Sequence, residues 1–200
     1  MVEQIHVMIL FGGGGHCKSV LEILKLNGET VDRIYDGNPQ NADIFGVPVF
    51  TDNGHPEGGT AIISIGDNAS RRVIDLRYPL HYTTAVHPDA SLSSFAELGA
   101  GSVVLAGARI SPAVRIGRHC IINSGAVIEH DCTVGDFVHV SPNATLSGAV
   151  TVGEGTKIGI GACVLPGITL GKWVKVAAGT VVKQDVPDYA VLEEKNTEKK

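Results

Sequence analysis

The sequence predicts two units in series: a small Rossmann-like α/β domain with a parallel sheet, then a parallel β-helix of six-residue repeats. Three observations predict it. Val, Leu or Ile stands at every sixth position from Val86 to Val182 without a gap, a fixed period of the kind that marks stacked repeats. Three positions after each aliphatic residue, Gly, Asn or Asp dominates (Gly101, Gly107, Gly125, Asp131, Asn143, Gly155), the residue types that tolerate left-handed backbone at a turn. Before the repeat, short apolar runs alternate with a helical pattern, the order that builds a parallel sheet.

The α/β unit opens on the apolar run from His6 to Phe11, followed by Gly12 to Gly15 and His16. Val20, Leu21 and Leu24 then recur at helical spacing, and Asn27-Gly28 stops the helix. A second strand runs from Val31 to Tyr35 and ends in Asp36-Gly37. A third runs from Ala61 to Ile65 before Gly66-Asp67-Asn68, where Asn68 is placed to cap a helix reaching Tyr78. Residues 38 to 58, rich in Gly, Pro, Asn and Asp, read as a loop that shapes specificity. Ligands of such sheets sit at the carboxyl ends of the strands, where Gly14, Gly15, His16, Asp36, Gly37 and Gly66 gather. Glycines let backbone amides approach an anion at the helix start, so a nucleotide diphosphate fits there. The dinucleotide fingerprint is incomplete, because Cys17 stands where its third glycine belongs.

In the repeat, the residue four places after each aliphatic one is mostly small, as at Ala108, Cys120, Ala126, Cys132 and Ala144, and points inward. Each hexad is then a short strand plus a corner. Three hexads close a coil of eighteen residues, giving about five to six coils with residues eighteen apart stacked on one another. His130 is third in its hexad, on an outward corner between Pro112 and Gly148, and a histidine there is suited to accept a proton near neutral pH. Ile160 and Ala178 share one edge, coil over coil, while His139, Lys157 and Lys175 form a basic ladder. Cys132 belongs to the inward column and reads as inert packing, and His119 and Asn123 read as structural.

The net charge is −5, so there is no basic field to attract nucleic acid or anionic lipid, and neither is an expected partner. The four cysteines (Cys17, Cys120, Cys132, Cys163) form no Cys-x-x-Cys pair. No leader and no apolar run near the ~20 residues of a spanning helix is present, which points to a cytoplasmic protein with reduced thiols. The expected division is residues 1–82 for the α/β domain, 83–187 for the β-helix and 188–200 for a polar tail.

The hexad pattern resembles the hexapeptide-repeat superfamily, which implies a left-handed β-helix, a homotrimer and, in most members, an acyltransferase. The Gly12 to His16 loop, Asp36-Gly37, Ile65-Gly66 and Ile128-Glu-His-Asp-Cys132 narrow the resemblance. They look like the bacterial nucleotide-sugar acetyltransferases related to sialic acid O-acetyltransferases and UDP-4-amino-sugar N-acetyltransferases. That resemblance implies a small domain holding a UDP- or dTDP-linked 4-amino-4,6-dideoxy sugar. Acetyl-CoA, as co-substrate, acetylates its amine at active sites between subunits, in the service of glycan biosynthesis and without a metal. It maps the general base onto His130, the acid that orients it onto Asp131, and the acetyl-CoA contacts onto His139, Ile160 and Ala178. One departure is the ending, where a polar Glu-Glu-Lys-Asn-Thr-Glu-Lys-Lys run replaces the usual Gly-x-Pro-Ala-Lys. O-acetylation of a sugar or sialic acid stays open on sequence, as does a non-catalytic nucleotide-sugar-binding protein. A zinc β-helix enzyme of the carbonic anhydrase type needs three histidines, whereas the two candidates here, His130 and His139, are nine residues apart.

Overall fold

Residue 7 is the first that the computed structural model describes, and the description covers residues 7–54, 56 and 59–193. His6, at the start of the expected first strand, lies outside these residues. The first strand, β1 (Met8–Phe11), is fully buried and pairs in parallel with β2 (Arg33–Asp36) and β5 (Thr60–Ile63). Helix α1 (Gly15–Leu26) buries Cys17, Val20, Leu21, Ile23 and Leu24, the face its spacing predicts. Its C-cap is Asn27, and Gly28 follows with φ 79°, a left-handed turn that glycine adopts without strain.

Two features of this domain differ from the sequence expectation. Within the segment expected to be a loop, β3 (Asp43–Ile44) and β4 (Val47–Thr51) form an antiparallel hairpin, and β4 extends the sheet beside β2. Ile44-Phe45-Gly46-Val47 is a tight reversal with φ of 52° at Phe45 and 83° at Gly46, a two-residue turn of the primed kind. The second difference is the cap of α2 (Asn68–Arg77). Asp67 is the N-cap, and its carboxylate accepts hydrogen bonds from the Ser70 N–H and hydroxyl. Asn68 is instead buried and turned away, so the cap falls to the neighbour whose oxygen can reach N3. A short strand β6 (His81–Tyr82) completes the order β3-β4-β2-β1-β5-β6.

From Ala85 onward the chain winds into a parallel β-helix with three faces. The first face stacks seven strands from Ala85–Val86 to Val191–Leu192, the second six from Ser91–Leu92 to Val181–Val182, and the third five from Glu97–Leu98 to Thr169–Leu170. Partners are eighteen residues apart, as in Arg109 with Val127 and His139 with Lys157. The aliphatic column and the small column fill the axis as one buried cluster from Val104 to Val186. Corner residues from Gly101 to Gly179 have positive φ at every sixth position, and here the sequence pattern is obeyed even where the residue is Ala113, His119, Phe137, Ala149 or Trp173.

The last coil is shorter than the rest. Val191–Leu192 pairs with Lys175–Val176 at a spacing of sixteen, and Leu170 bridges Val186 at the same spacing. The corner from Lys183 to Asp185 has lost two residues, so the six-residue period ends at Val182 although the helix continues. The polar tail expected from residue 188 therefore does not begin there: the Asp188 carboxylate accepts from the Lys172 N–H, and Tyr189 donates to the Lys172 carbonyl. Residues 194–200 of the expected tail lie outside the described residues.

The α/β domain covers the first face. Ala85, Val103, Leu105 and Ile121 join the cluster formed by α1 and β1, and Asn27 donates to the Val86 carbonyl. The outward residues of the third face are Glu97, Arg115, Thr133, Thr151 and Thr169, all exposed and polar. Those of the second face include Val127, Thr145, Cys163 and Val181.

Candidate active site

At the carboxyl ends of β1, β2 and β5 a cavity of about 480 Å³ is lined by Gly12, Gly14, Gly15, His16, Asp36, Gly37 and Gly66, with Phe11, Tyr35, Asp52 and Ser64. All six residues singled out in the α/β domain share this one cavity. Gly12 has φ 101°, and a Cβ there would meet the Ile65 side chain at 2.4 Å, so only glycine fits. Gly14 caps α1 without any side-chain bond, and the space beside Gly14 and Gly15 is open. The first turn of a helix leaves N–H groups without intrahelical partners, donors of the kind that suit an anion. Asp36 has a local duty as well as a cavity position: Oδ2 accepts from the Gly13 N–H at 2.6 Å and Oδ1 from the Asn38 N–H at 2.8 Å. It therefore fixes the glycine loop that faces the cavity.

Sequence reasoning missed Asp52, which lines the cavity and accepts a hydrogen bond from the Tyr78 hydroxyl. Nothing marks Asp52 in the sequence, since it directly follows β4, whose residues carry the composition of a loop. Ring stacking of Phe11 on Tyr35 and Tyr78, with centroids at 5.9 and 5.0 Å, makes the Asp52 side aromatic.

His130 and Asp131 occupy the corner between the second and third faces, after the strand Val127–Ile128 and before Thr133–Val134. Asp131 takes the left-handed corner position with φ 63°, which an aspartate accepts readily, and its Oδ2 lies 2.7 Å from His130 Nδ1. Both side chains are open to solvent. A Cβ on Gly148 would lie 2.9 Å from His130 Nε2, so the ring rests over that glycine, the neighbour the eighteen-residue register assigns. With Nδ1–H donated to the carboxylate, Nε2 presents a lone pair outward, the arrangement of an oriented base.

Cys132 next door is fully buried, donates to the Ser147 carbonyl, and has its thiol pKa pushed up by burial. A thiolate nucleophile is therefore disfavoured at this site.

The remaining predicted residues fall elsewhere. Ile160 and Ala178 are exposed at the corner between the first and second faces and stack coil over coil through the Gly179 N–H to Ile160 carbonyl bond. His139 stands one strand earlier, on the first face, mostly covered by the α/β domain. Its Nε2 lies 3.0 Å from the Asn123 amide nitrogen. Burial, then the charge of Arg71, hold its pKa down to about 3, and the same two causes hold His16 at about 4. Both rings are neutral at working pH. Lys157 and Lys175 continue the ladder below His139 and are exposed. Among the described residues no cluster of His, Cys, Asp and Glu is disposed to hold a metal, and no helix is long and apolar enough to cross a membrane.

Residues 7–75 match the family described as PglD N-terminal domain, and residues 113–148 and 149–184 match that described as bacterial transferase hexapeptide, six repeats. Among solved structures, PerB from Caulobacter crescentus, in complex with CoA and GDP-perosamine, is 38% identical. It superimposes with a TM-score of 0.87, and the match covers 94% of this chain and 93% of that one. The chain belongs to the hexapeptide-repeat nucleotide-sugar N-acetyltransferases. This acyltransferase is also 33% identical to the acetyltransferase domain of PglB from Neisseria gonorrhoeae, solved with acetyl coenzyme A, over 93% of this chain and 95% of that one, at a TM-score of 0.84. WeeI from Acinetobacter baumannii shares the fold at 20% identity and a TM-score of 0.83. No curated protein matches the chain.

Proposed function

We propose that this acetyltransferase moves an acetyl group from acetyl-CoA to the amine of a nucleotide-linked 4-amino-4,6-dideoxy sugar by direct transfer, with His130 as general base. The observation that carries the reading is the His130–Asp131 pair: a carboxylate fixes one ring nitrogen at 2.7 Å and leaves the other free over Gly148. His130 Nε2 takes a proton from the amine as its nitrogen attacks the thioester carbon. The tetrahedral adduct then expels the CoA sulfur, which takes the proton from the His130 imidazolium and leaves as the thiol. Asp131 stabilises the imidazolium formed in between. No covalent acyl-enzyme is required, in keeping with the buried Cys132. The sequence points to UDP- or dTDP-linked sugars, and the GDP-perosamine named for the 38% identical relative adds guanosine diphosphate to the nucleotides to be tried.

Geometry also favours active sites shared between copies of the chain. The nucleotide cavity sits beside the first face, Ile160 and Ala178 border the second face on one side, and His130 borders it on the other. Packing second faces together around a three-fold axis brings the edge of one subunit to the His130 corner of the next. Val127, Cys163 and Val181 give the second face apolar outward positions beside Ser91, Arg109 and Thr145, where the third face has only polar ones, which fits a homotrimer joined there. His139, Ile160 and Ala178 then border the acetyl-CoA arm, and Lys157 and Lys175 approach its phosphates. Reversing both lysine charges is expected to raise the acetyl-CoA KM, and an unchanged KM contradicts that part.

The test is thiol release from acetyl-CoA with UDP-, dTDP- and GDP-linked 4-amino sugars. Turnover on one amine supports the reading, whereas release only with hydroxyl acceptors replaces it with O-acetylation.

A further inference from the structure

We infer that α2, through Arg71 and Asn68, is the positioning element that sets the distance from the nucleotide cavity to the transfer site, an inference that rests on the function proposed above. Three corner carbonyls, those of His119, Phe137 and Gly155, stack at intervals of eighteen residues on successive coils. Their N–H groups serve the ladder, donating to Ala100, Arg118 and Asp136, but among the described residues the three carbonyls receive no backbone donor. One face of α2 supplies it. Arg71 Nε donates to the His119 carbonyl at 2.9 Å and Nη2 to that of Phe137 at 2.8 Å, while Asn68 Nδ2 donates to that of Gly155 at 3.0 Å. The two residues are one turn apart, so a single helix face reads three coils.

The same guanidinium reaches back into the α/β domain. Nη1 donates to the carbonyls of Ile65 and Gly66, each at 3.1 Å, and Gly66 lines the nucleotide cavity. Arg71 is 1% exposed, and its hydrogen bonds run to carbonyls and to Asn68 Oδ1. Burying a guanidinium among neutral acceptors is costly, and a hydrophobic residue would serve packing alone at least as well. A five-donor fork that bridges a cavity wall and two coils is a reason to keep it.

The β-helix needs such a device because it repeats. Docking positions one coil apart differ by about 4.8 Å, and reaction requires the reacting atoms within roughly 3–3.5 Å in an aligned pose. A slip of even part of a coil would leave the bound sugar out of reach. Bulky residues at this edge support a fixed seat: His119 and Phe137 occupy left-handed positions, with rings stacked at 5.3 Å, and Tyr82 meets His119 edge-on at 4.5 Å.

The experiment compares Arg71→Met, Arg71→Lys and Asn68→Ala with wild type, well below the melting temperature of each. We expect kcat to fall about 100-fold in Arg71→Met, the scale of a 1 Å misplacement. Nucleoside diphosphate binding and the acetyl-CoA KM should stay within about threefold, since each ligand's own contacts remain. Arg71→Lys should not rescue, because one ammonium cannot span cavity wall and coils. Asn68→Ala, which leaves the cavity wall tied, provides the milder variant if Arg71→Met does not fold, with a kcat loss near tenfold. Unchanged kcat in the folded variants, or full rescue by lysine, overturns the inference. Hydrogen exchange of the α2 amides supplies a readout that needs no substrate: faster exchange in Arg71→Met supports the seat, and wild-type protection overturns it. Wild type without turnover on any amino sugar defeats the proposed reaction instead, and the exchange result still decides the role of α2.

Discussion

His119 and His130 each lie beside an aspartate, at 2.9 Å from Asp75 and 2.7 Å from Asp131, yet one is sealed and the other open. They sit one place apart within the hexad. His119 fills the left-handed corner position and tucks beneath α2, fully buried, with its pKa lowered chiefly by that burial. His130 comes one residue before the corner position, which Asp131 takes, so its ring stands out over Gly148. What seals His119 is the packing of α2 over its corner, because Asp131 and Asn143 hold the same place in their hexads and are exposed.

The largest expected effect breaks this pair apart. His130→Ala should reduce kcat by about 10²–10⁴-fold with little change in stability, the usual weight of a general base. His119→Ala should weigh the other way, costing about 2–5 kcal/mol in urea unfolding, as other deletions of large buried side chains do, with a loss of kcat much smaller than that of His130→Ala. The glycines beneath the two rings sharpen the contrast. Gly148→Ala pushes a methyl to 2.8 Å from His130 Cε1 and should lower kcat by roughly 10–100-fold through misplacement of the ring. Gly101→Ala, at φ 76° and 2.2 Å from His119 Nδ1, should instead cost about 1–3 kcal/mol of stability.

Acid should act on the sealed histidines. His16, His119 and His139 have lowered pKa values in the folded state, so below about pH 6.5 the unfolded chain takes up protons that the native one refuses. Stability is whole above that pH and falls as pH drops toward about 4 for His16 and about 3 for His139. The slope is at most about 1.4 kcal/mol per pH unit for each histidine. Urea midpoints measured at pH 7, 6 and 5 check this, and a flat profile would contradict the neutral burial of these rings. The smallest effect belongs to Cys132→Ala, which should leave kcat within about twofold, yield no acetylated enzyme by mass spectrometry and cost about 1 kcal/mol.

The β-helix was legible because its backbone enforces a period on side-chain type, and the register placed His130 over Gly148 before any coordinates. The period failed where the backbone changed: the corner at Lys183 to Asp185 is two residues short, and the last strand Val191–Leu192 fell out of phase. The α/β domain was legible where glycine is compulsory, as at Gly12, and opaque in the β3–β4 hairpin, whose turn uses Phe45 where Asn or Gly is the usual signal. Arg71 was invisible for a different reason. Beside Arg72 in a polar helix it looks like another solvated arginine, and only the packing of α2 on the coils reveals that one of the two is buried.

In the proposed reaction, base and donor edge come from different subunits of a homotrimer, across the second face. Co-expressing a His130→Ala chain with an Ala178→Phe chain, each inactive alone, tests it directly after purification of mixed trimers by two tags. Each mixed trimer holds one site of three in which both parts are intact, so thiol release from acetyl-CoA should return to about a third of the wild-type rate. Mixed trimers as inactive as their parents would place base and donor edge in the same chain and contradict the shared site.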